Sequence, residues 1–179
     1  MTEDPDAALV LDARAGNRRA FEQLVLRYER PVFNAAYRIL HHREDASDVT
    51  QTTFLRAYEH LDRYDPGQRF FSWIYRIAVN EAMDAAGRRP RADVEVDDLV
   101  SEAVGPQEIA VNGEADAGLQ AALMALNPDQ RTLIVLKHLQ GCSYEEIAAV
   151  VDCPTKTVKS RLFSAREALR AVLVKRGFA

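Results

Sequence analysis

Rings and guanidinium groups crowd one short stretch of the chain: Arg63, Tyr64, Arg69, Phe70, Phe71, Trp73, Tyr75 and Arg76 surround a Pro-Gly loop spanning residues 62–69. Aromatic faces stack on bases that have left a duplex while arginine holds the backbone, each stacked base contributing about 1–3 kcal/mol, so the chemistry suits single-stranded nucleic acid. Spacing limits how many of these rings are available. Phe70, Trp73 and Ile77 stand at i, i+3 and i+7, the pattern of a buried helical stripe, so half or more of the rings belong to a core. Tyr64, Arg69, Ser72, Arg76 and Asn80 remain as the residues expected at the surface.

A second constellation lies near the C-terminus. Lys156, Lys159, Ser160, Arg161 and Arg166 fall on the outward face of a helix whose inward face is Val158, Leu162 and Ala165, with Thr155 and Thr157 near its start. Residues 156–179 carry seven bases and one acid, an electrostatic footprint for phosphate. Lysine at the start of such a helix can donate to guanine O6 and N7 in the major groove. A third constellation is acidic: Asp45, Asp48, Gln51 and Thr52 share a helical face able to dock a basic protein helix. With His41 added it lacks a paired metal-ligand motif, and His138, Cys142 and Cys153 fare no better, since buried free cysteine is the common alternative. No metal or other cofactor is expected.

Apolar residues recur at helical spacing and no period-2 run stands out, which predicts an all-α chain. The first block, residues 1–89, is expected to hold a short helix ending at Gly16, then a helix capped by Asn17 that Pro31 bends or restarts. A third helix is expected from about Glu44 to Leu61 and a fourth from about Phe70 to Ala86. Residues 90–117 hold Pro90, Gly105, Pro106 and Gly113 among acids and small apolar residues and read as a flexible tether. The last block, residues 118–179, has the clearest punctuation. Asn127-Pro-Asp-Gln130 starts one helix, Ser143-Tyr-Glu-Glu146 is a capping box for a short helix, Asp152-Cys153 makes a turn, and Pro154 begins a long helix. Short helix, turn and long helix make a helix-turn-helix.

Composition agrees with this division. The net charge of −4 over 179 residues conceals a first block of −1 whose only basic residue type is arginine, a tether of −7 and a last block of +4, an asymmetry that hints at nucleic acid. The longest apolar run, residues 121–126, is far too short for a membrane span, the start Thr2-Glu-Asp-Pro-Asp6 is unlike a signal peptide, and two cysteines suit a reducing cytoplasm. An enzyme finds little support without a Gly-rich phosphate loop, a nucleophile motif or a metal pair. An operator-binding regulator with an N-terminal sensing domain is the main alternative among binding proteins.

Three motifs in this order, residues 45–54 (DASDVTQTTF), 71–80 (FSWIYRIAVN) and 143–148 (SYEEIA) followed by 157–166 (TVKSRLFSAR), resemble the bacterial sigma-seventy family, specifically its small extracytoplasmic-function group. The resemblance implies that Asp45, Asp48, Gln51 and Phe54 bind the clamp helices of the largest subunit of core RNA polymerase. It implies that Tyr64, Arg69, Ser72, Trp73, Arg76 and Asn80 capture the melted strand of a −10 element. Lys156, Thr157, Lys159, Ser160, Phe163 and Arg166 would read a −35 element in duplex DNA. Ser164 stands where many relatives carry a base. Relatives are often held by an anti-sigma factor, so such a partner is expected, with no direct membrane insertion. The tether of net −7, with Asp93, Glu95, Asp97 and Asp98, would occupy a basic nucleic-acid channel until RNA displaces it.

Overall fold

The computed structural model describes residues 4–88 and 113–177, and every regular element among them is helical. Helix α1 spans Ala7–Arg14, α2 Arg18–Leu40, α3 Arg43–Glu59 and α4 Phe70–Arg88, with a 3-10 turn at Leu61–Arg63. Helix α5 spans Gly113–Met124, α6 Pro128–Ile134, α7 Tyr144–Val151 and α8 Thr155–Lys175; a π turn at Val135–Leu139 prolongs α6. Residues 89–112, most of the expected tether with its four named acids, lie outside the described residues, and α5 starts at Gly113, inside the span expected to be tether.

Local chemistry explains the boundaries. Gly16 takes φ +94° after α1, and the Asn17 side chain accepts from the Arg19 N–H at 3.1 Å, the expected cap. His41 takes φ 50° at the end of α2, and His42 then caps α3 by accepting from the Asp45 N–H at 3.2 Å through Nδ1, a task usually given to Ser, Thr, Asp or Asn. Pro31 does not restart its helix: α2 is continuous over 23 residues. An interior proline costs about 3 kcal/mol, but Leu24, Val32 and Ile39 are buried on either side of it, and burying each such side chain returns about 1.5–3 kcal/mol.

Helices α1–α4 form one lobe and α5–α8 a second. The first closes around Leu24, Val32, Ile39, Phe70 and Ile74; the second around Leu123, Leu136, Ile147, Val158 and Leu162. Two buried threonines on α3 are satisfied within the helix, Thr50 donating to Ala46 O and Thr53 to Val49 O, each at 2.7 Å. The lobes pack directly on each other, α4 against α7 and α6, and α2 against α5, α6 and the π turn, so one contiguous apolar core runs through both.

Candidate nucleic-acid and polymerase interfaces

The helix-turn-helix forms as the punctuation predicts. Ser143 Oγ accepts from the Glu146 N–H at 3.1 Å and Glu146 Oε2 accepts from the Ser143 N–H at 2.8 Å, closing the capping box of α7. Asp152 takes φ 52° in the turn, Pro154 precedes α8, and Val158, Leu162 and Ala165 are fully buried. That burial turns Lys156, Lys159, Ser160 and Phe163 outward, while Thr157 and Arg166 are half-buried. Lys159 Nζ lies 5.4 Å from the Tyr144 ring centroid and Lys137 Nζ 4.6 Å from the same ring, a shared aromatic seat for two cations. Phe163 is 66% exposed among these cations, where an apolar ring can meet a thymine methyl group. Arg166 Nε donates to His138 Nε2 at 3.2 Å.

On the first lobe, Asp48 and Gln51 are exposed on α3 and Asp45 is half-buried. Phe54, expected to take part in polymerase contact, is only 8% exposed; it falls on the inner stripe with Ala46, Val49 and Ala57 and packs into the lobe. An apolar group on the outer face is Leu55, 59% exposed and one turn beyond Gln51. The signal for Leu55 was in the spacing, since it lies outside the inner stripe. Among the described residues no group of three or more His, Cys, Asp or Glu could hold a metal ion.

The arginine and aromatic cluster divides differently from expectation. Arg69 and Asn80 are exposed and Trp73 and Arg76 half-buried, but Tyr64 and Ser72, expected at the surface, are 3% and 5% exposed. Tyr64 is drawn inward by its ring, which meets Phe70 and Trp73 edge-on at centroid distances of 5.9 and 5.5 Å. Its hydroxyl donates to Gln68 O and also approaches Asp4 Oδ2 at 3.2 Å. Burial first, then the Asp4 charge, pushes the Tyr64 pKa up to about 12. Ser72, in the first turn of α4, lies on its inner side with Phe70 and Ile74 between the flanking arginines.

Both of those arginines face the second lobe. Arg69 pairs with Glu146 Oε1, and Arg76 Nη2 lies 2.7 Å from Asp152 Oδ2. Tyr75, fully buried between the lobes, donates to Gln140 Oε1 at 2.8 Å. Arg38 binds Asp116 at 2.6 Å and Gln120 at 3.1 Å. Thus the first lobe's guanidinium groups meet carboxylates of the second, a negative surface at the place where a nucleic-acid backbone is expected.

An exposed basic helix behind a tight turn and an arginine-rich loop ahead of α4 are two separate candidate nucleic-acid surfaces in one chain. The segments carrying them match two parts of a single family: residues 24–92 match Sigma-70 region 2 and residues 117–169 match Sigma-70, region 4. The chain belongs to the sigma-70 family. It is 35% identical over 185 residues to the RNA polymerase sigma-H factor of Pseudomonas aeruginosa, covering 97% of this chain and 96% of that one. It is 38% identical over 176 residues to the ECF RNA polymerase sigma-E factor of Escherichia coli K12, covering 92% of each. Among solved structures it is similar to CnrH in complex with the cytosolic domain of CnrY, with TM-score 0.74, 32% identity and coverage of 95% of this chain and 97% of that one. It is also similar to the sigma factor RpoE in complex with the anti-sigma factor NepR from Bartonella quintana, with TM-score 0.68, 28% identity and coverage of 86% and 96%. This chain is therefore a promoter-recognising sigma factor of the extracytoplasmic-function group, and no described helix is long and apolar enough to cross a membrane.

Proposed function

We propose that this sigma factor divides promoter opening between its lobes. The first lobe binds core polymerase through Asp45, Asp48, Gln51 and Leu55 of α3 and takes the melted −10 strand on Arg69, Trp73, Arg76 and Asn80. The second reads the −35 duplex with the start of α8, Lys156, Lys159, Ser160 and Phe163 reaching outward and Thr157 and Arg166 supporting from the flanks. The observation that carries this reading is the outward basic start of α8, held by a buried apolar stripe behind a left-handed turn. Phosphate contacts there supply affinity and the base edges supply choice. The protein acts by binding rather than by catalysis and works in the cytoplasm. An anti-sigma factor is its expected regulator, as the solved relatives in complex with CnrY and with NepR support.

In vitro transcription from a genomic fragment library with core polymerase tests the reading. Core-dependent start sites that share two upstream elements are the expected result; their absence would overturn it. Binding of the free chain as a dimer to a palindrome without polymerase would favour an operator-binding regulator instead. On a promoter so recovered, Lys159→Ala should lower discrimination between correct and altered −35 elements by about 1–3 kcal/mol if the ammonium leaves Tyr144 for a base. An equal loss on every sequence would assign it to phosphate.

A further inference from the structure

The loop that precedes α4 has exposed residues from Asp65 to Arg69, and its shape does not come from the loop alone. Within it, Asp65 Oδ1 accepts from the Gly67 N–H at 2.9 Å and the Gln68 N–H donates to Asp65 O at 3.0 Å, a local turn. Its two ends are joined from outside. Asp4 Oδ2 accepts from the Phe70 N–H at 2.7 Å, the first residue of α4, and also lies 3.2 Å from the Tyr64 hydroxyl. One carboxylate thus bridges the start of the loop and the start of the helix. It satisfies an orphan helix donor and places negative charge at the positive helix end.

Asp4 is itself anchored. The Asp6 N–H donates to Asp4 Oδ1 at 3.3 Å, and Asp6, fully buried, accepts from Arg27 and from the Tyr28 hydroxyl on α2. Tyr28 then meets Phe70 edge-on at 5.5 Å, so the chain ahead of α1 is tied to the same aromatic cluster that frames Trp73. Both acids lie outside residues 24–92, the part matched to Sigma-70 region 2.

We propose that Asp4 is a positioning residue for strand capture: it holds the loop from Tyr64 to Phe70 in the shape that presents Arg69 and Trp73 to an unpaired strand. The proposal rests on the assignment of −10 capture to this loop. Asp4 touches no DNA; it acts through Tyr64 and the first turn of α4. Because Arg69 sits immediately before the residue whose N–H Asp4 binds, release of that contact frees the guanidinium's own backbone.

The test uses holoenzyme reconstituted from core polymerase and the full chain, with fork-junction DNA built on a promoter recovered by the transcription screen. Its upstream part is duplex and its −10 strand unpaired. Asp4→Ala should weaken binding to the fork about five- to tenfold, while affinity for core polymerase and for the −35 duplex alone stays as in the parent. Asp4→Asn keeps an acceptor oxygen but loses the charge and should fall between. Parent-like binding of the fork by Asp4→Ala would overturn the proposal, as would an equal loss on all three probes, which marks general support of the fold. Arg69→Ala and Trp73→Ala separate the two readings. If they weaken fork binding and Asp4→Ala does not, positioning fails alone; if neither matters, the loop does not capture the strand and both readings fall.

Discussion

Replacing Arg131 should cost more stability than breaking any of the visible ion pairs between the lobes. The residue is 6% exposed and its guanidinium donates to backbone carbonyls: Nε to Leu123 O at 2.9 Å, Nη2 to Leu126 O at 2.9 Å and Met124 O at 3.2 Å, and Nη1 to Ile39 O. Three acceptors lie at the C-terminal end of α5 and the turn after it, the fourth near the end of α2 in the other lobe, so two negative helix ends converge on one cation. Burial lowers the Arg131 pKa from its ordinary value, yet arginine stays charged. Arg131→Met keeps the length and apolar stem but leaves these carbonyls short of a donor. Leu123 O retains the Leu126 N–H at 3.1 Å, so Ile39 O and Leu126 O carry most of the cost, at about 1–3 kcal/mol each, less what is regained by no longer burying a charge. A net loss of about 2–4 kcal/mol is expected. The Arg76–Asp152 pair has side chains 41% and 76% exposed, where screening holds a pair to about 0–1 kcal/mol; Asp152→Asn, which tolerates the left-handed turn, should stay under about 0.5 kcal/mol. Urea unfolding of the full chain, compared by midpoint at common slope, separates the two. A loss below about 1 kcal/mol for Arg131→Met, or one no larger than for Asp152→Asn, would refute the reasoning.

Two further outcomes follow from titratable groups in the second lobe. His138 is held below its ordinary pKa by partial burial, then by the nearby Arg166 and Lys137 charges. The unfolded chain takes up the proton first, so stability should fall as pH drops through about 6.5 and level off below the folded value. The parent should therefore lose more of its urea midpoint between pH 7.5 and 5.5 than His138→Gln does; equal losses would contradict this. Cys142 is buried and its thiol pushed up to about 12, mainly by burial and then by Glu146, whereas Cys153 is half-buried. Iodoacetamide on the native chain should label Cys153 alone, with Cys142 reacting only after unfolding; mass spectrometry of peptides distinguishes the sites.

Elements with periodic or capped sequence were legible. The Ser143–Glu146 box, the Asn127 cap on the Gln130 N–H at 2.9 Å and the buried Val158, Leu162 and Ala165 stripe are all where local chemistry demands. What escaped had no period. Tyr64 looked like a polar loop residue, but three-dimensional contact with Phe70, Trp73 and Asp4 drew it inside, and the partner in that list from the far end of the lobe is 60 positions away. Pro31 carried a local rule that burial on both sides overrode. The docking of the lobes is spread over Arg38, Arg69, Tyr75, Arg76, Arg131 and Gln140, single polar residues on α2, α4 and α6, in the loop before α4 and just after the π turn, which no window of sequence groups together. Leu55 and Phe54 show the finer limit: neighbours in sequence, they are turned about 100° apart by the helix period, one inward and one outward, and the resemblance pointed to the inward one.

The carboxylates that meet Arg69 and Arg76 also shape the second lobe. Glu146 uses Oε2 in the capping box and Oε1 on Arg69; Asp152 makes the left-handed turn with its backbone and reaches Arg76 with its side chain. A DNA strand that takes the Nη groups facing Glu146 and Asp152 displaces both carboxylates, because the same N–H cannot donate to phosphate and carboxylate at once. The capping box survives that exchange, since its hydrogen bonds use the other oxygen and the backbone. The exchange is cheap at Arg76, whose exposed pair with Asp152 contributes about 0–1 kcal/mol and weakens with salt, and costs more at Arg69, whose partner Glu146 is half-buried. What resists separation is the apolar seam of α4 on α7 and α6, together with Arg131 and its carbonyls. Any partner that parts the lobes must therefore overcome packing, whereas the acidic groups can be exchanged for phosphate, a like-charged substitute.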